Sequence, residues 1–319
     1  MIKNITIIGG SGFIGTNLIE CLDDYTISNL DKRSSELSTI NTKIVDIVNL
    51  NSIMIPDFTD TLILLAAEHR DDVSPTSLYY DVNVQGTKNV LEKMDDYGIK
   101  NLIFTSSVAI YGLNKEHPDE DYVPDPFNDY GKSKLMAEKL IKEWFEKSPE
   151  RKCVTIVRPT VVFGENNRGN VYNLIKQLSD RKFIMIGNGN NKKSLAYVGN
   201  LAAFIKHRID KCQPGFHIFN YSDNPDFSVK ILINKLSAYL EVYQHKLSIP
   251  YILGLFIGIL FDFLSFILRR KFPISYVRVK KFCANTQYNA TKAHNEFDAP
   301  FSLEEGFKRT INNDFSFTK

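Results

Sequence analysis

Short apolar, β-branched runs alternate with amphipathic stretches along the first half of the chain. Patterns typical of buried strands occupy residues 5–8, 26–30, 43–46, 61–67, 101–105 and 153–157. A continuous apolar run such as residues 61–67 is typical of a parallel sheet covered on both faces. We therefore predict an α/β fold in which a strand–helix unit repeats six times to build a doubly wound parallel sheet.

The rhythm changes beyond Gly164, where polar loops replace the regular alternation. One more strand pattern follows at residues 216–220, so the chain is expected to return to the sheet at about 194–222. We predict a sheet domain at 1–164 that includes this return, and a smaller C-terminal substrate domain at 165–193 and 223–319.

A glycine-rich turn joins the first predicted strand to the first predicted helix. Gly9, Gly12 and Gly15 permit a tight turn and close backbone approach, and the helix begins around Phe13 and Ile14. The N–H groups at such a helix start bind a diphosphate. The turn therefore predicts a Rossmann-type dinucleotide site.

Asp31 ends the second predicted strand, about 20 residues beyond the glycine turn. A carboxylate there accepts hydrogen bonds from a ribose 2′-hydroxyl and repels a 2′-phosphate. The position favours NAD over NADP as cofactor, and the basic residues Lys32 and Arg33 directly after it reduce this preference somewhat.

Tyr130 and Lys134 stand four residues apart and therefore share one face of a predicted helix. A neighbouring ammonium favours the charged form of a phenol, whose ordinary pKa is near 10. Such a tyrosine can take the proton of an alcohol while hydride leaves the same carbon. Ser106 and Ser107 follow the strand at 101–105 and arrive at the same edge of the sheet.

These features occur in the order found in the extended short-chain dehydrogenase/reductase superfamily, and the chain resembles its sugar-nucleotide epimerases and dehydratases over residues 2–312. The motifs that carry the resemblance are the glycine turn, Asp31, Asp46, Leu65-Ala66-Ala67, Asn83, Ser106-Ser107, Tyr111-Gly112, Tyr130 with Lys134, and Arg158-Pro159. The resemblance implies that Tyr130 is the base, that Lys134 binds the nicotinamide ribose and lowers the tyrosine pKa, and that Ser107 binds the reacting hydroxyl.

The resemblance also implies the wider site. Contacts with NAD are expected from Gly9, Gly12, Phe13, Ile14, Gly15, Asp31, Asp46, Ile47, Leu65, Ala66, Ala67, Asn83, Ser106, Tyr130, Lys134 and Pro159. Contacts with the substrate are expected from Arg70, Ser107, Asn166, Arg168, Tyr197 and Arg278. No metal is expected.

One departure from the family pattern bears on the reaction. The related 4,6-dehydratases carry an Asp-Glu pair directly after the catalytic hydroxyl residue, whereas here Val108 and Ala109 follow Ser107. Neither side chain can transfer a proton, so dehydration is disfavoured and reversible oxidation, such as 4-epimerisation, remains.

Residues 249–268 form an apolar segment in which Asp262 is the only charge, and Arg269, Arg270 and Lys271 follow it. Its length is about what a membrane span requires. A full span is disfavoured because it would separate the C-terminal residues from the domain that they complete. The segment is either an ordinary buried helix or, as we expect, a helix in the membrane interface with its basic end at anionic headgroups.

Composition narrows the class further. Apolar residues make up 43% and charged residues 24% of the chain, and the net charge is +2. With no long basic run, nucleic-acid binding is not expected. The four cysteines lack metal-site spacing, and the first residues run straight into a strand. We therefore expect a cytoplasmic protein that associates peripherally with the inner membrane.

Together the resemblance and the apolar segment imply an NAD-dependent 4-epimerase of an N-acetylhexosamine. Its carrier would be undecaprenyl diphosphate, as in the assembly of a surface polysaccharide such as O-antigen, and a homodimer is compatible with this. Three alternatives stay open: a soluble epimerase for a UDP-linked sugar, a membrane-associated dehydrogenase for a sterol-like alcohol, and a cofactor-binding sensor. The dehydrogenase would consume NAD in every turnover, and the sensor would not need the Ser107, Tyr130 and Lys134 set.

Overall fold

The secondary structure is taken from a computed structural model, which describes residues 3–70, 73–243, 247–268, 270, 272 and 274–315. In that part of the chain the strands are β1 (Asn4–Ile8), β2 (Thr26–Asp31), β3 (Thr42–Ile44), β4 (Thr61–Leu64), β5 (Asn101–Thr105), β6 (Cys153–Pro159), β7 (Val161–Phe163), β8 (Met185–Ile186), β9 (Lys192–Tyr197), β10 (Gly215–Tyr221), β11 (Asp223–Ser228) and β12 (Ser248–Ile249).

The same ranges contain the helices α1 (Phe13–Cys21), α2 (Ser77–Tyr80), α3 (Thr87–Asp96), α4 (Asp129–Glu146), α5 (Asn170–Ser179), α6 (Val198–Asp210), α7 (Val229–Tyr239), α8 (Tyr251–Leu268), α9 (Tyr276–Cys283), α10 (Thr291–Glu296) and α11 (Leu303–Phe315). A π-helical turn over Asp81–Gly86 joins α2 to α3. Residues 77–96 therefore form one continuous helix that contains a wider turn.

A seven-stranded sheet confirms the predicted fold class. Its strand order is β10-β6-β5-β4-β1-β2-β3, and every neighbouring pair is parallel. The strict strand–helix repeat was wrong around β3. The β2–β3 connection contains no helix, and β3 is joined to β4 through the single 3₁₀ turn Leu50–Ser52. The sequence between β2 and β3 is polar and short, so it offers no apolar stripe with which a helix could cover the sheet.

Helices cover both faces of this sheet. On one face α3 and α4 bury residues such as Val90 and Trp144, and on the other α1 and α6 bury residues such as Leu18 and Phe204. Each fully buried side chain of this size contributes roughly 1.5–3 kcal/mol. The order in which strands are added to the sheet reverses between β1 and β4, and the carboxyl ends of these two strands flank the crevice in which such sheets bind ligands.

The distal third of the chain forms its own layer. Strands β11, β9 and β7 make a small sheet that packs with α5, α7 and α11. Ser228 caps α7, because its Oγ accepts the N–H of Ile231 at 3.2 Å. The division into domains at the predicted boundaries stays a prediction.

Helix α8 begins at Tyr251 rather than at residue 249, because residues 248 and 249 pair as β12 with β8 and Pro250 follows them. A stripe of small and polar residues on α8, formed by Gly254, Gly258 and Asp262, faces the protein. A Cβ on Gly254 would meet Ile186, and a Cβ on Gly258 would meet the backbone of Tyr276. The Asp262 carboxylate accepts the N–H of Tyr276 at 3.0 Å. This contact ties α8 to α9.

The opposite face of α8 is open. Ile252, Phe256 and Phe263 are 68%, 64% and 60% exposed, and Ile259, Leu260 and Ile267 are also exposed. Of the predicted basic end, Arg270 is exposed, whereas Arg269 and Lys271 lie outside the described residues. Among the helices of the described ranges, none is long and apolar enough to cross a membrane.

Candidate active site

Strand β5 delivers two serines to the carboxyl edge of the sheet. Ser107 caps the 3₁₀ turn Val108–Tyr111, and its Oγ accepts the N–H of Ala109 at 3.1 Å. Ser106 is buried, and its Oγ has no hydrogen-bond partner among the described residues. A buried hydroxyl without a partner is unfavourable unless a ligand supplies one, which fits the prediction that Ser106 contacts the cofactor.

Helix α4 brings Tyr130 to the serine turn. Asn128 caps the helix, with its Oδ1 accepting the N–H of Gly131 at 2.9 Å. Tyr130 therefore lies in the first turn. The backbone of Gly131 lies so close to Ala109 that a Cβ at Gly131 would stand 2.6 Å from the Ala109 carbonyl oxygen. The absence of a side chain at Gly131 thus permits the start of α4 to pack directly on the serine turn.

Lys134 is one helical turn further on, and its side chain is buried, with 1% of the residue exposed. Its Nζ lies 4.1 Å from the centroid of the Phe104 ring, a cation–π distance. Burial lowers the pKa of Lys134 to about 7, and the charge of Glu138 opposes this only in part. The ammonium is thus poorly solvated by the protein alone, so ligand oxygens beside it would favour its charged form.

Asn83 fastens the loop after β4 to helix α4. Its Oδ1 accepts the N–H of Glu68 at 2.8 Å, and its Nδ2 donates to the Glu68 carbonyl at 2.9 Å and to the Ser133 Oγ at 2.9 Å. Ser133 in turn donates to the Tyr130 carbonyl at 2.8 Å. The buried Asn83 therefore positions the loop after β4 on α4, and its predicted contact with the cofactor stays a prediction.

The glycine turn has the shape that a dinucleotide requires. Gly9 has φ +93°, a conformation that other residues rarely adopt, and its Cα packs directly against the backbone of Ala66. Gly12 is the N-cap of α1 and adds no side chain to the helix entrance. A Cβ on Gly15 would overlap the backbone of Gly10, so α1 can pack closely on the turn. These three glycines leave the N–H groups of the helix start accessible to a diphosphate.

Asp31 lies beside this turn. One carboxylate oxygen accepts the N–H of Ser11 at 3.0 Å and the other accepts the N–H of Arg33 at 3.0 Å. Each oxygen retains a further lone pair with which to accept a ribose hydroxyl. The glycine turn, Asp31, Ser106 and Lys134 together fit NAD.

The other predicted cofactor residues surround this cradle. Leu65, Ala66 and Ala67 are half-buried directly after β4, and Pro159 is buried at the end of β6. Asp46 is exposed and accepts the N–H of Val48, Ile47 packs under Gly86, and the half-buried Phe13 and Ile14 open α1. For these residues the cofactor contacts remain a prediction.

A buried polar network holds the serine turn from behind. Arg158 makes a two-pronged ion pair with Glu138, at 3.0 and 2.7 Å, and donates to the Tyr111 hydroxyl at 2.6 Å. That hydroxyl donates to Asn220 Oδ1 at 2.8 Å. Sequence reasoning found the Tyr111 and Arg158 motifs but not their link, because the two residues are 47 positions apart.

The surroundings of Tyr130 include Tyr79 and the residue Arg70, which was predicted to contact the substrate. Tyr79, which the sequence did not suggest as a site residue, lies beside Tyr130 with 6.4 Å between the ring centroids and the rings tilted by 49°. The Tyr79 hydroxyl donates to the carbonyl of Arg70. Arg70 itself is exposed and pairs with Glu68 at 3.4 Å. The structure therefore brings Arg70 to the neighbourhood of Tyr130, whereas Asp71 and Asp72 lie outside the described residues.

The remaining substrate candidates make their contacts elsewhere. Asn166 and Arg168 contact Asp314 of α11 at 3.3 and 3.6 Å. Tyr197 is buried, with its hydroxyl donating to Glu165, so its side chain has a structural role in the core. Arg278 is exposed on α9, and one contact of its guanidinium is with the carbonyl of Phe272 at 3.1 Å.

Known proteins resemble the chain over its whole length. It is 50% identical to the N-acetyl-α-D-glucosaminyl-diphospho-ditrans,octacis-undecaprenol 4-epimerase of Escherichia coli O157:H7, covering 100% of this chain and 97% of that protein. It is 27% identical to the UDP-glucose 4-epimerase of Vibrio cholerae, covering 97% and 95%. The crystal structure of Bacillus cereus UDP-glucuronic acid 4-epimerase in complex with NAD superposes with a TM-score of 0.76 at 19% identity, covering 97% and 98%.

The family model for the NAD dependent epimerase/dehydratase family matches residues 5–221. This range contains the glycine turn, Asp31, Ser107, Tyr130 and Lys134. The match confirms both the family resemblance and the prediction of NAD as cofactor. The chain belongs to the NAD dependent epimerase/dehydratase family.

Proposed function

We propose that this protein is an NAD-dependent 4-epimerase that interconverts N-acetylglucosamine and N-acetylgalactosamine on undecaprenyl diphosphate, for the assembly of a surface polysaccharide such as O-antigen. The observation that carries the proposal is the exposed apolar face of α8, in a chain whose proton-transfer residues meet at a dinucleotide cradle. The 50% identity to an epimerase of that name supports it.

The reaction needs a base, a donor to the sugar oxygen and a redox partner. Bound NAD supplies the hydride acceptor and, later, the hydride donor. Tyr130 takes the proton of the C4 hydroxyl while the C4 hydrogen leaves with its electron pair, and the sugar becomes a 4-keto sugar. The keto sugar turns over, hydride returns to its other face, and Tyr130 returns the proton. No atom is lost or gained, so the product is the C4 epimer.

Ser107 and Lys134 support the proton transfer. Ser107 stands at the turn that Gly131 touches, where its hydroxyl can donate to the sugar O4. Lys134 has a pKa lowered to about 7 by burial, so its charge is sensitive to its neighbours. Ribose hydroxyl oxygens that accept from its Nζ would favour the ammonium, which in turn stabilises the phenolate of Tyr130.

The residues after Ser107 support epimerisation over dehydration. Val108 is buried. The N–H of Ala109 donates to the Ser107 Oγ, and the Ala109 carbonyl oxygen packs against Gly131. Neither residue can protonate a leaving hydroxyl or abstract a proton from the neighbouring carbon. The keto sugar is therefore protected from elimination and returns to an alcohol.

We further propose that the exposed face of α8 binds the cytoplasmic leaflet of the inner membrane. Large side chains such as Phe256 and Phe263 would leave water there, and removal of apolar area contributes about 25 cal/mol per Å². Arg270, beyond the helix end, would add about 1 kcal/mol near anionic lipid. A second copy of the chain is the competing occupant of this face, in which case the protein would dimerise without binding vesicles.

The test offers the purified enzyme two substrates, GlcNAc-diphospho-undecaprenol in detergent and UDP-GlcNAc, and identifies the sugar after acid release. We expect GalNAc from the lipid-linked substrate, no net formation of reduced NAD, and no conversion by Tyr130→Phe. A kcat/KM for UDP-GlcNAc tenfold higher than that for the lipid-linked substrate would instead identify a UDP-sugar epimerase. The Vibrio cholerae relative carries a name of that kind. Stoichiometric accumulation of reduced NAD would identify a dehydrogenase.

A further inference from the structure

A cavity of about 350 Å³ lies where helix α8 begins. Its wall includes Asn114, three residues beyond Tyr111 of the serine turn, and Tyr251, the first residue of α8. Ile186 of β8 and Lys280 and Cys283 of α9 complete much of the lining. The volume is within the range of small-molecule sites. The cavity thus lies between the serine turn and the apolar helix.

The polar lining suits an anion. Lys280 provides an exposed ammonium, and Asn114 and Asn188 provide amide groups. Within the described ranges, the residues that line the cavity include no carboxylate. A cation together with several amide donors matches a ligand that has negative charge and many acceptor oxygens, such as a diphosphate.

This lining is held rigidly. Lys193 is partly covered by α9, and its Nζ donates to the carbonyls of Lys281 at 2.9 Å and Ala284 at 2.7 Å. The Nδ2 of Asn191 donates to the carbonyls of Phe282 at 2.8 Å and Ala284 at 3.1 Å. The end of α9 is therefore fixed before any ligand arrives, so little ordering is needed when one binds.

Helix α9, which lines the cavity, also contacts the segment that leads into the catalytic helix. The Nζ of Lys281 lies 5.6 Å from the centroid of the Phe127 ring, and Phe127 is three residues before Tyr130. Asn114 and Asn285 exchange hydrogen bonds, with N–H to oxygen distances of 3.3 and 3.1 Å. The cavity and the segment before Tyr130 therefore both adjoin α9.

The exposed apolar face of α8 begins beside the cavity, at Tyr251. Tyr251 is 40% exposed, and the exposed side chains Ile252, Phe256, Ile259 and Phe263 continue from it along α8 at helical spacing. A nucleoside has a polar base and ribose and gains little from such a strip. A polyprenyl chain gains from every methyl group that leaves water.

We propose that this cavity binds the diphosphate of the lipid-linked substrate, and that the first isoprene units cross Tyr251 onto the exposed face of α8. This proposal rests on the function proposed above. Tyr251 and Lys280 then determine the carrier specificity. Lys280 binds the diphosphate, which every substrate of this kind carries. Tyr251 contacts the hydrocarbon chain where it leaves the diphosphate.

The experiment measures KM in detergent for GlcNAc-diphosphate esters of geranyl, farnesyl and undecaprenyl alcohols. We expect Lys280→Met to raise KM about tenfold for every chain length, and Lys280→Arg to restore it, because the charge returns. Tyr251→Ser should raise KM about tenfold for the esters, and Tyr251→Phe should behave like the parent because it keeps the ring.

Matched controls are Lys139→Met and Phe58→Ser, two exposed positions at a distance along the chain from the cavity. Both should leave KM unchanged. All four altered positions are exposed to some degree, so melting temperatures should stay close to the parent value. If the parent enzyme converts the esters but neither Lys280→Met nor Tyr251→Ser changes KM by more than twofold, the cavity does not bind the carrier. If the parent converts none of the esters, the proposed function itself is wrong.

Discussion

Gly131, in the first turn of helix α4, lies against the carbonyl oxygen of Ala109, and a Cβ there would stand 2.6 Å from that oxygen. Because the obstructing atom belongs to the backbone, Gly131→Ala must move the helix start or the serine turn. Misplacement of reacting groups by about an ångström lowers rates about a hundredfold. We expect kcat to fall by 10- to 100-fold, measured by sugar analysis, with NAD binding nearly unchanged.

The control for this substitution is Lys139→Ala, an exposed position further along α4. It should leave kcat unchanged. A Gly131→Ala enzyme with the full parental rate would show that the approach of the two backbones is not needed for proton transfer.

Tyr130→Phe should abolish turnover while it preserves the fold and the affinity for NAD, because only the phenolic oxygen is removed. Activity on the lipid-linked sugar and cofactor affinity by calorimetry would be measured in parallel. Residual activity within about tenfold of the parent, equivalent to ~1.4 kcal/mol of barrier, would exclude Tyr130 as the base.

Asp31 should make the enzyme prefer NAD to NADP by at least about tenfold in dissociation constant, ~1.4 kcal/mol. Its carboxylate is fixed by the N–H groups of Ser11 and Arg33 and would repel a 2′-phosphate. Titration of cofactor-free protein with NAD and with NADP measures the ratio of the two dissociation constants. Asp31→Asn should bring the two dissociation constants closer together. Equal affinities in the parent would mean that Lys32 or the Arg33 side chain controls the choice.

Lys134→Met should inactivate the enzyme but stabilise the cofactor-free protein by about 1–3 kcal/mol near neutral pH, because a buried ammonium is replaced by an apolar chain of similar size. The folded pKa, about 7, is below the unfolded value of 10.5. Between these values the unfolded chain holds a proton that the folded one lacks, so the parent gains stability as pH rises.

The advantage of Lys134→Met should therefore be largest below about pH 7 and shrink toward pH 10. Urea denaturation across this range measures it, and Lys139→Met, at an exposed position, serves as the comparison. A difference in unfolding free energy that does not change with pH would contradict the lowered pKa of Lys134.

Replacement of Ile252, Phe256 and Phe263 by serine should release the protein from anionic vesicles and leave its fold intact, since all three side chains are exposed. Complete burial of each such side chain contributes roughly 1.5–3 kcal/mol, so loss of the three removes most of the binding energy. Vesicle sedimentation measures this, with Phe58→Ser as the control. A parent protein that never sediments with vesicles would contradict membrane docking and favour a partner chain on this face.

The parts of the structure set by local sequence were predictable. The glycine turn, Asp31 and the Tyr130–Lys134 spacing each depend on residues close together in the chain, and each lies where the pattern predicted. Tyr79 was missed because its contact with Tyr130 spans 51 positions and arises from how α2 packs on α4. No periodicity in one sequence encodes such a contact.

The apolar segment shows the same limit. The sequence predicted a helix over residues 249–268, and α8 spans Tyr251–Leu268. Composition alone did not reveal that the stripe would pack on α9 through Gly258 and Asp262, which leaves the aromatic side exposed. The sequence likewise did not reveal the three hydrogen bonds by which Asn83 joins Glu68 to Ser133.

The order of these parts along the chain has an evolutionary consequence. The residues predicted to hold the dinucleotide and to move the proton all precede β7, whereas Tyr251 and Lys280, to which we assign the choice of carrier, both follow it. The chemistry and the choice of carrier are therefore encoded in separate stretches of the gene. An ancestral enzyme could exchange a nucleotide for a lipid by replacing one contiguous stretch, without altering a single catalytic codon.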